Sequence, residues 1–231
     1  MWLLFLALLA PFTPTIDLYV AGLFYSPEAG FYDNAFFHFL FKYGELFGLV
    51  TGAIALSIFL LSFVWKKYKV WRRGALAMVL TLVIGAGLIT NVALKGYWGR
   101  PRPKQVFDFG GTHLFRPFWC PDFHTGHDSQ KSFPSGHVAM GFYFLSLCLV
   151  GRRYKSNALF GTGVFLTFFL GGGLMIARVV QGGHFVSDVV VSPIIMWYVA
   201  RGVDKFITWE GSELPALYPT TRDISQEPDE T

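Results

Sequence analysis

The chain has 231 residues, of which 53% are apolar, 18% aromatic and only 15% charged, and its mean hydropathy is +0.44. That composition excludes an ordinary soluble domain, and the length suits one membrane domain of about five or six spans rather than two domains. The net charge of +4 therefore points to basic loops flanking membrane segments, not to nucleic-acid binding.

In chain order, Trp2 to Ala10 is apolar but short, Pro11 and Pro14 interrupt it, and Ile16 to Tyr25 continues with Asp17 inside. Met1 is followed directly by apolar residues with no basic stretch, so a first membrane segment is expected rather than a cleaved signal. Ser26 to Asn34 reads as surface. Ala35 to Lys42, rich in phenylalanine, reads as interfacial, where rings sit at headgroup level. Leu46 to Trp65 is a span closed by Lys66, Lys67, Lys69, Arg72 and Arg73, and Gly74 to Leu94 is the next, ending at Lys95. Gly96 to Phe133 is a long polar loop. Val138 to Val150 is an apolar helix closed by Arg152, Arg153 and Lys155. Ala158 to Ala177 is a fifth span, whose Gly171-Gly172-Gly173 run permits close helix approach. After the turn Arg178 to Gly183, Phe185 to Phe206 is the sixth. Thr208 to Thr231 is acidic, carries three prolines and lacks an apolar pattern, which predicts a disordered tail after a single membrane domain over 1–207.

The expected fold class is all-α: an integral membrane bundle of about six transmembrane helices, both ends cytoplasmic, with an outer-face loop carrying part of a site. Basic flanks put the turns near residues 70 and 153 inside. The outer loop nevertheless holds Lys95, Arg100, Arg102, Lys104, Arg116 and Lys131, cations that anion binding would explain. Cys120 lies in the polar loop and Cys148 in an apolar run, so no disulfide between them is expected.

Three outer stretches carry chemistry. In Lys95-Gly-Tyr-Trp-Gly-Arg100-Pro-Arg102-Pro103, three cations fall within eight positions, prolines restrict the backbone on both sides of Arg102, and glycines allow tight turns. Arginine can grip two phosphate oxygens, and lysine adds a point charge. In Pro134-Ser135-Gly136-His137 the proline suits a first helical turn, the serine can cap backbone N–H groups, and Gly136 lets a ligand approach the backbone, as at phosphate-binding helix ends. An ordinary helix start beside an unrelated histidine is the alternative. His184 and Asp188 stand four apart on one helix face, where a carboxylate on one ring nitrogen makes the other a better base or nucleophile. A plain capping pair is the alternative, against which stands the cost of ionisable groups at membrane depth. Arg178, six residues before His184, and Lys95 could each simply snorkel to the interface.

The ordered set Lys95-x6-Arg102-Pro103, Pro134-Ser135-Gly136-His137 and Arg178-x5-His184-x3-Asp188 resembles the signature of the type 2 phosphatidic acid phosphatase superfamily, over roughly Ala77 to Tyr198. Each motif alone is moderately specific; the ordered triple is far more so. The resemblance implies that His184 attacks phosphorus with Asp188 orienting it, that His137 protonates the leaving oxygen, and that water hydrolyses the phosphohistidine. Lys95, Arg102, Arg178, Ser135 and the Gly136 N–H would hold the phosphate oxygens, with no metal or other cofactor. One position departs from the pattern: the superfamily usually has serine before the third-motif arginine, and Ala177 stands there, which removes one hydrogen-bond donor. Elementary chemistry agrees, because phosphoryl transfer rests on positioning and on stabilising charge over the equatorial oxygens. The residues alone leave open which histidine attacks. The carboxylate at i+4 favours His184, whereas a helix N-terminus disfavours added positive charge and suits His137 as a ready proton donor.

Around Trp98-Gly-Arg-Pro-Arg-Pro, Phe109-Gly-Gly-Thr and Gln181-Gly-Gly-His-Phe-x-Ser-Asp, the chain looks more like the superfamily's bacterial lipid A phosphatases than its eukaryotic members. That implies a multi-pass protein of the bacterial inner membrane whose site faces the periplasm. Its partners would be the bilayer and a lipid substrate: lipid A, or else phosphatidylglycerol phosphate, phosphatidic acid or undecaprenyl pyrophosphate. A lipid phosphotransferase would use the same residues. A non-catalytic lipid-phosphate binder or transporter predicts loss of a histidine or of Asp188, and all are present. The related vanadium haloperoxidases are soluble, which six spans oppose. His124-x-x-His127-Asp128 lacks further ligands at a diagnostic metal spacing. His113, Arg116 and Trp119 are expected in a folded lid, with contact to substrate from the loop as the alternative, and His38 and Glu45 as interfacial anchors at the outer edge of the second span.

Overall fold

The computed structural model describes residues 2–123 and 130–209, and they form an all-α membrane bundle with one small hairpin. Helices α1 (Trp2–Leu9) and α2 (Thr13–Gly22) follow one another through a tight turn. Pro11 and Pro14 fall in the first positions of new turns, where a missing N–H costs nothing, so they redirect the apolar run without ending it. Strands β1 (Tyr25–Ser26) and β2 (Gly30–Phe31) pair antiparallel. Helix α3 (Ala35–Val64) is continuous over 30 residues, capped by Asn34, whose side chain accepts from the Phe37 N–H at 2.8 Å. The phenylalanine-rich stretch expected at the interface is therefore the first turns of this helix.

Helix α4 (Arg72–Thr81) widens into π geometry over Leu82–Leu94 and returns to α5 (Lys95–Tyr97). A loop of short turns leads to α6 (Gly136–Phe142) and α7 (Leu145–Arg153). Helix α8 (Asn157–Leu166) passes through a second π stretch, Thr167–Gly172, into α9 (Gly173–Val180), and α10 (Val186–Phe206) completes the bundle. The runs Ala35–Val64, Lys66–Tyr97, Asn157–Val180 and Val186–Phe206 are long and apolar enough to cross a bilayer. Leu6–Gly22 is a shorter apolar helix, and α6 with α7 packs among α3, α8 and α10. Thr208 and Trp209 are the only described residues of the expected tail; the rest, like His124, His127 and Asp128, lies outside the described residues.

Small residues set the spacing. On α3 the buried stripe is Leu40, Gly44, Gly48, Gly52 and Ala55. A Cβ on Gly44 would meet Leu174 at 2.9 Å, one on Gly48 Met140 at 2.8 Å, and one on Gly52 Leu82 at 2.3 Å. Apolar side chains gain little by leaving lipid, so close backbone approach is what binds such helices. The Gly171 run acts as expected, since a Cβ on Gly141 would strike Gly171 Cα at 2.6 Å. At the far end Arg153 grips Asp204 through Nε at 2.8 Å and Nη2 at 2.9 Å. The alternation of helices gathers Lys95, Gly136, His137, Arg178 and Asp188 at one end of the bundle, and Arg72, Arg73, Arg152, Arg153, Arg201 and Lys205 at the other.

Candidate active site

The turn between α9 and α10 is built around Arg178. Its carbonyl accepts from Gly183 N–H at 2.9 Å and His184 N–H at 3.1 Å. Gly182 holds φ +60°, where a side chain is strained, and a Cβ there would lie 2.4 Å from Phe31. A Cβ on Gly183 would strike Arg178 Nη2 at 2.0 Å. The two glycines thus let His184 fold back beside the guanidinium. Arg178 donates to Gln181 Oε1 at 3.0 Å, Gln181 donates to Asp33 at 2.7 Å, and the Lys104 N–H reaches the Gly182 carbonyl at 3.2 Å, which draws the Arg102 loop to the same turn. Ala177 is wholly buried among Leu40, Val138, Leu174 and Val189, so packing occupies the position where a serine was expected.

His184 is buried, and its Nδ1 lies 2.6 Å from the Ser132 carbonyl, which can only accept. Nδ1 therefore carries the hydrogen and Nε2 keeps its lone pair. Asp188 Oδ2 is 3.7 Å from Nδ1, beyond hydrogen-bond length. It accepts instead from Ser132 Oγ at 2.6 Å and from the Phe185 N–H at 2.9 Å. The carboxylate thus acts on His184 through the Ser132 loop rather than by direct grip. Burial, helped by the charges of Arg178 and Lys95, holds the His184 imidazole down at about 4 against the pull of Asp188.

Arg100, counted among the outer cations but given no role, is completely buried. Its guanidinium ion-pairs with Asp188 and, at 2.7 Å, with Asp17 of α2. It also donates to Ser187 Oγ at 2.8 Å and to the Arg116 carbonyl at 2.8 Å, and it sits 4.6 Å above the Phe185 ring. Asp17 in turn accepts from Ser187 N–H at 2.8 Å and Ser187 Oγ at 2.6 Å. One signal for this network was available: a charged residue inside the first apolar segment demands a partner.

Above the site stands α3. The Phe41 ring stacks on the His137 imidazole at 4.8 Å, the Arg178 guanidinium lies 4.4 Å from the same ring, and Glu45 Oε1 is 3.1 Å from His137 Nδ1. Glu45, expected as an interfacial anchor, belongs to the site. Its continuous helix carries it there, whereas His38 remains exposed 4.0 Å from Asp33. Lys95, Arg102, Arg178 and His184 all lie near enough to act on His137 electrostatically. Gly136 has no Cβ where one would meet Asn91 Oδ1 at 2.7 Å and Lys95 Nζ at 3.3 Å, so the lysine reaches the start of α6. Ser135, expected to cap that helix, makes no cap bond: its Oγ is buried without a partner, as are Arg102 Nε and Arg178 Nε. Burial pushes the Arg102 guanidinium below its ordinary value despite the field of Asp188.

The outer loop folds on itself. Arg116 pairs with Asp122 at 2.8 Å and donates to the Gly99 carbonyl, while Trp119 Nε1 reaches the Ala10 carbonyl at 3.0 Å, contacts that suit the expected lid. Among the described residues, no group of three or more His, Cys, Asp or Glu is arranged to hold a metal ion. Cys120 is exposed and Cys148 buried, both as free thiols.

Comparison with known proteins gives a family. The PAP2 superfamily model matches residues 74–211, which include all three motifs. A lipid A 4′-phosphatase of Francisella tularensis subsp. novicida is 34% identical over 202 residues, 85% of this chain and 86% of that protein. A lipid A 4′-phosphatase of Rhizobium leguminosarum is 37% identical over 114 residues, 48% of this chain and 45% of that one. Phosphatidylglycerophosphatase B of Haemophilus influenzae is 24% identical over 190 residues, 70% of this chain and 76% of that one. No solved structure matches.

Proposed function

The chain belongs to the PAP2 superfamily, and on that premise we propose that this membrane phosphatase removes a phosphate from lipid A through a phosphohistidine on His184. The observation that carries the reading is the set of buried polar atoms beside the two histidines that have no hydrogen-bond partner: Ser135 Oγ, Arg102 Nε and Arg178 Nε. Each such group costs about 1–3 kcal/mol when left unmade. Their collection at one place fits a ligand rich in acceptor oxygens, and the neighbouring cations fit one that is an anion.

In the proposed reaction Lys95, Arg102, Arg178, Ser135 Oγ and the Gly136 N–H hold the phosphoryl oxygens and offset the charge that grows on them. His184 Nε2 attacks phosphorus while the ester bond breaks, and its electron pair stays on the leaving oxygen. His137 gives that oxygen a proton. Water then attacks the phosphohistidine, His137 takes the water's proton, and inorganic phosphate leaves. The carbonyl on Nδ1 supports His184 as nucleophile, because a neutral partner leaves the imidazole uncharged with Nε2 available. Asp188 and Arg100 hold the Ser132 loop that provides this carbonyl.

Lipid A as substrate rests on likeness to relatives named for it, foremost the Francisella protein, which aligns over most of both chains. The opposite end of the bundle is rich in lysine and arginine, and this supports a cytoplasmic placement for it and a periplasmic one for the site, in a bacterial inner membrane. The test is phosphate release by purified protein in detergent micelles with EDTA present. Lipid A, phosphatidic acid, phosphatidylglycerol phosphate and undecaprenyl pyrophosphate are offered side by side, with His184→Ala as control. Release from lipid A above the others, lost in the variant, is the expected result. Release unchanged in His184→Ala would sink the phosphohistidine, and preference for another lipid would replace the substrate.

A further inference from the structure

Glu45 has no part in the three motifs, yet its Oε1 lies 3.1 Å from Nδ1 of His137, the proposed proton donor. We infer that Glu45 is a positioning residue for the proton donor: its carboxylate, with the stacked ring of Phe41, holds His137 so that Nε2–H points at the leaving oxygen, and its negative charge opposes the cations around the ring. The inference rests on the phosphatase reading above and deepens it.

Two histidines in one site must do opposite work, and their Nδ1 partners differ accordingly. His184 faces a backbone carbonyl, which fixes a tautomer without adding charge. His137 faces a carboxylate, which favours a positively charged ring. Burial, ahead of the surrounding cations, pushes both imidazoles down, His137 to about 3 and His184 to about 4, so what distinguishes the two rings is the group at Nδ1. Phe41 and Glu45 are four apart on α3 and so share one side of it. Phe41 fixes the plane of the His137 ring, at 4.8 Å and 27°, and also carries Arg178 4.4 Å from its centre. Gly44, pressed on Leu174, lets α3 stand this close.

His137 Nδ1 is buried and, despite its distance from Glu45, lies off the line a hydrogen bond requires. At 3.1 Å the length already suits a hydrogen bond, and the angle alone has to change. The charges facing His137 from the other elements are Lys95, Arg102 and Arg178, with the neutral His184 ring beside them, and those facing Glu45 are Lys95 and Arg178. Burial and the charges of Arg178, Lys95 and Arg102 push the His137 imidazole down, and the Glu45 carboxylate at its Nδ1 is placed to oppose them. When Nε2–H passes to the leaving oxygen, the ring becomes neutral with hydrogen still on Nδ1. When water attacks, Nε2 takes that proton back. Glu45 neither gains nor loses one.

The test compares the natural chain with Glu45→Gln, which keeps shape and removes charge, on two substrates. A lipid phosphate monoester needs its leaving oxygen protonated; p-nitrophenyl phosphate, whose leaving group is a stable anion, does not. The expected result is a fall in kcat on the lipid of about 10²-fold, at the low end of what general acids contribute, with KM nearly unchanged. Release of p-nitrophenol should fall less than about fivefold, since the acid's contribution of about 10²–10⁴ is not needed there. The basic limb of the lipid pH profile should move down by about one unit, the low end of the shift an opposite charge produces, because Glu45 is partly exposed. Nuclear magnetic resonance of ring-labelled histidine, with His137→Asn for assignment, should show the His137 titration midpoint falling by a similar amount. Equal loss on both substrates, a loss confined to KM, or an unmoved pH limb and midpoint would overturn the inference. If instead the natural chain releases no phosphate from any lipid, the phosphatase reading fails, while the His137 midpoint still decides whether Glu45 acts on the ring.

Discussion

Arg100 and Asp17 stand 83 positions apart in sequence and 2.7 Å apart in space, both almost wholly buried. Helix α2 is thus tied into the same network that holds Asp188. A buried ion pair adds little net stability when complete, but removing one partner leaves an uncompensated charge.

Asp17→Asn should therefore destabilise the fold by about 3 kcal/mol, the lower end of the usual range, because Asp188 still neutralises Arg100. Ser187 also loses a carboxylate acceptor. Thermal unfolding in detergent reads the loss, and an unchanged melting temperature would show that α2 is not coupled to the site.

Ser132→Ala removes the hydroxyl that donates to Asp188 at 2.6 Å but keeps the carbonyl that meets His184. A hydrogen bond to a charged group is worth about 1.5–3 kcal/mol. Activity should fall by about tenfold, far less than in His184→Ala, with kcat affected more than KM. If the hydroxyl rather than the carbonyl orients His184, steady-state kinetics will show the two variants equally impaired.

Gly183→Ala would drive a methyl group against Arg178 Nη2, 2.0 Å from the new carbon. The arginine must swing away, and a displacement near 1 Å costs about 10²-fold in rate. A fall of that size in kcat/KM, with the melting temperature held within a few degrees, is the expected outcome.

His184 gives the fold a dependence on pH of definite sign. Its imidazole is held at about 4 in the folded chain against 6.5 when unperturbed. Between those values the unfolded chain binds more protons, so stability rises with pH there. The contribution is fully present above 6.5 and is lost as pH falls through the window towards about 4. Melting curves from pH 8 to pH 4 should slope less steeply for His184→Asn, and equal slopes would contradict a buried neutral histidine. The same depression keeps the nucleophile uncharged, so the acid limb of kcat/KM should lie well below pH 6.5.

The membrane character, the order of the motifs and the gathering of their residues at one end of the bundle were legible in the chain, for two physical reasons. Water-free hydrocarbon forces each apolar run to satisfy its own backbone as a helix, and strict alternation then decides which ends lie together. Lys95, Arg102, Ser135, Gly136, His137, Arg178, His184 and Asp188 could be named in the chain from the ordered motifs and the family resemblance that those motifs carry. Only the folded chain decided who touches whom. The four-residue spacing of His184 and Asp188 suggested a direct bond, but the ring nitrogen takes the Ser132 carbonyl from the loop. Glu45 and Phe41 enter the site because α3 begins at Ala35 and its glycines press it inward. Arg100 and Asp17 find each other because a buried charge must be paired, and where the partner lies along the chain is set by packing rather than by spacing.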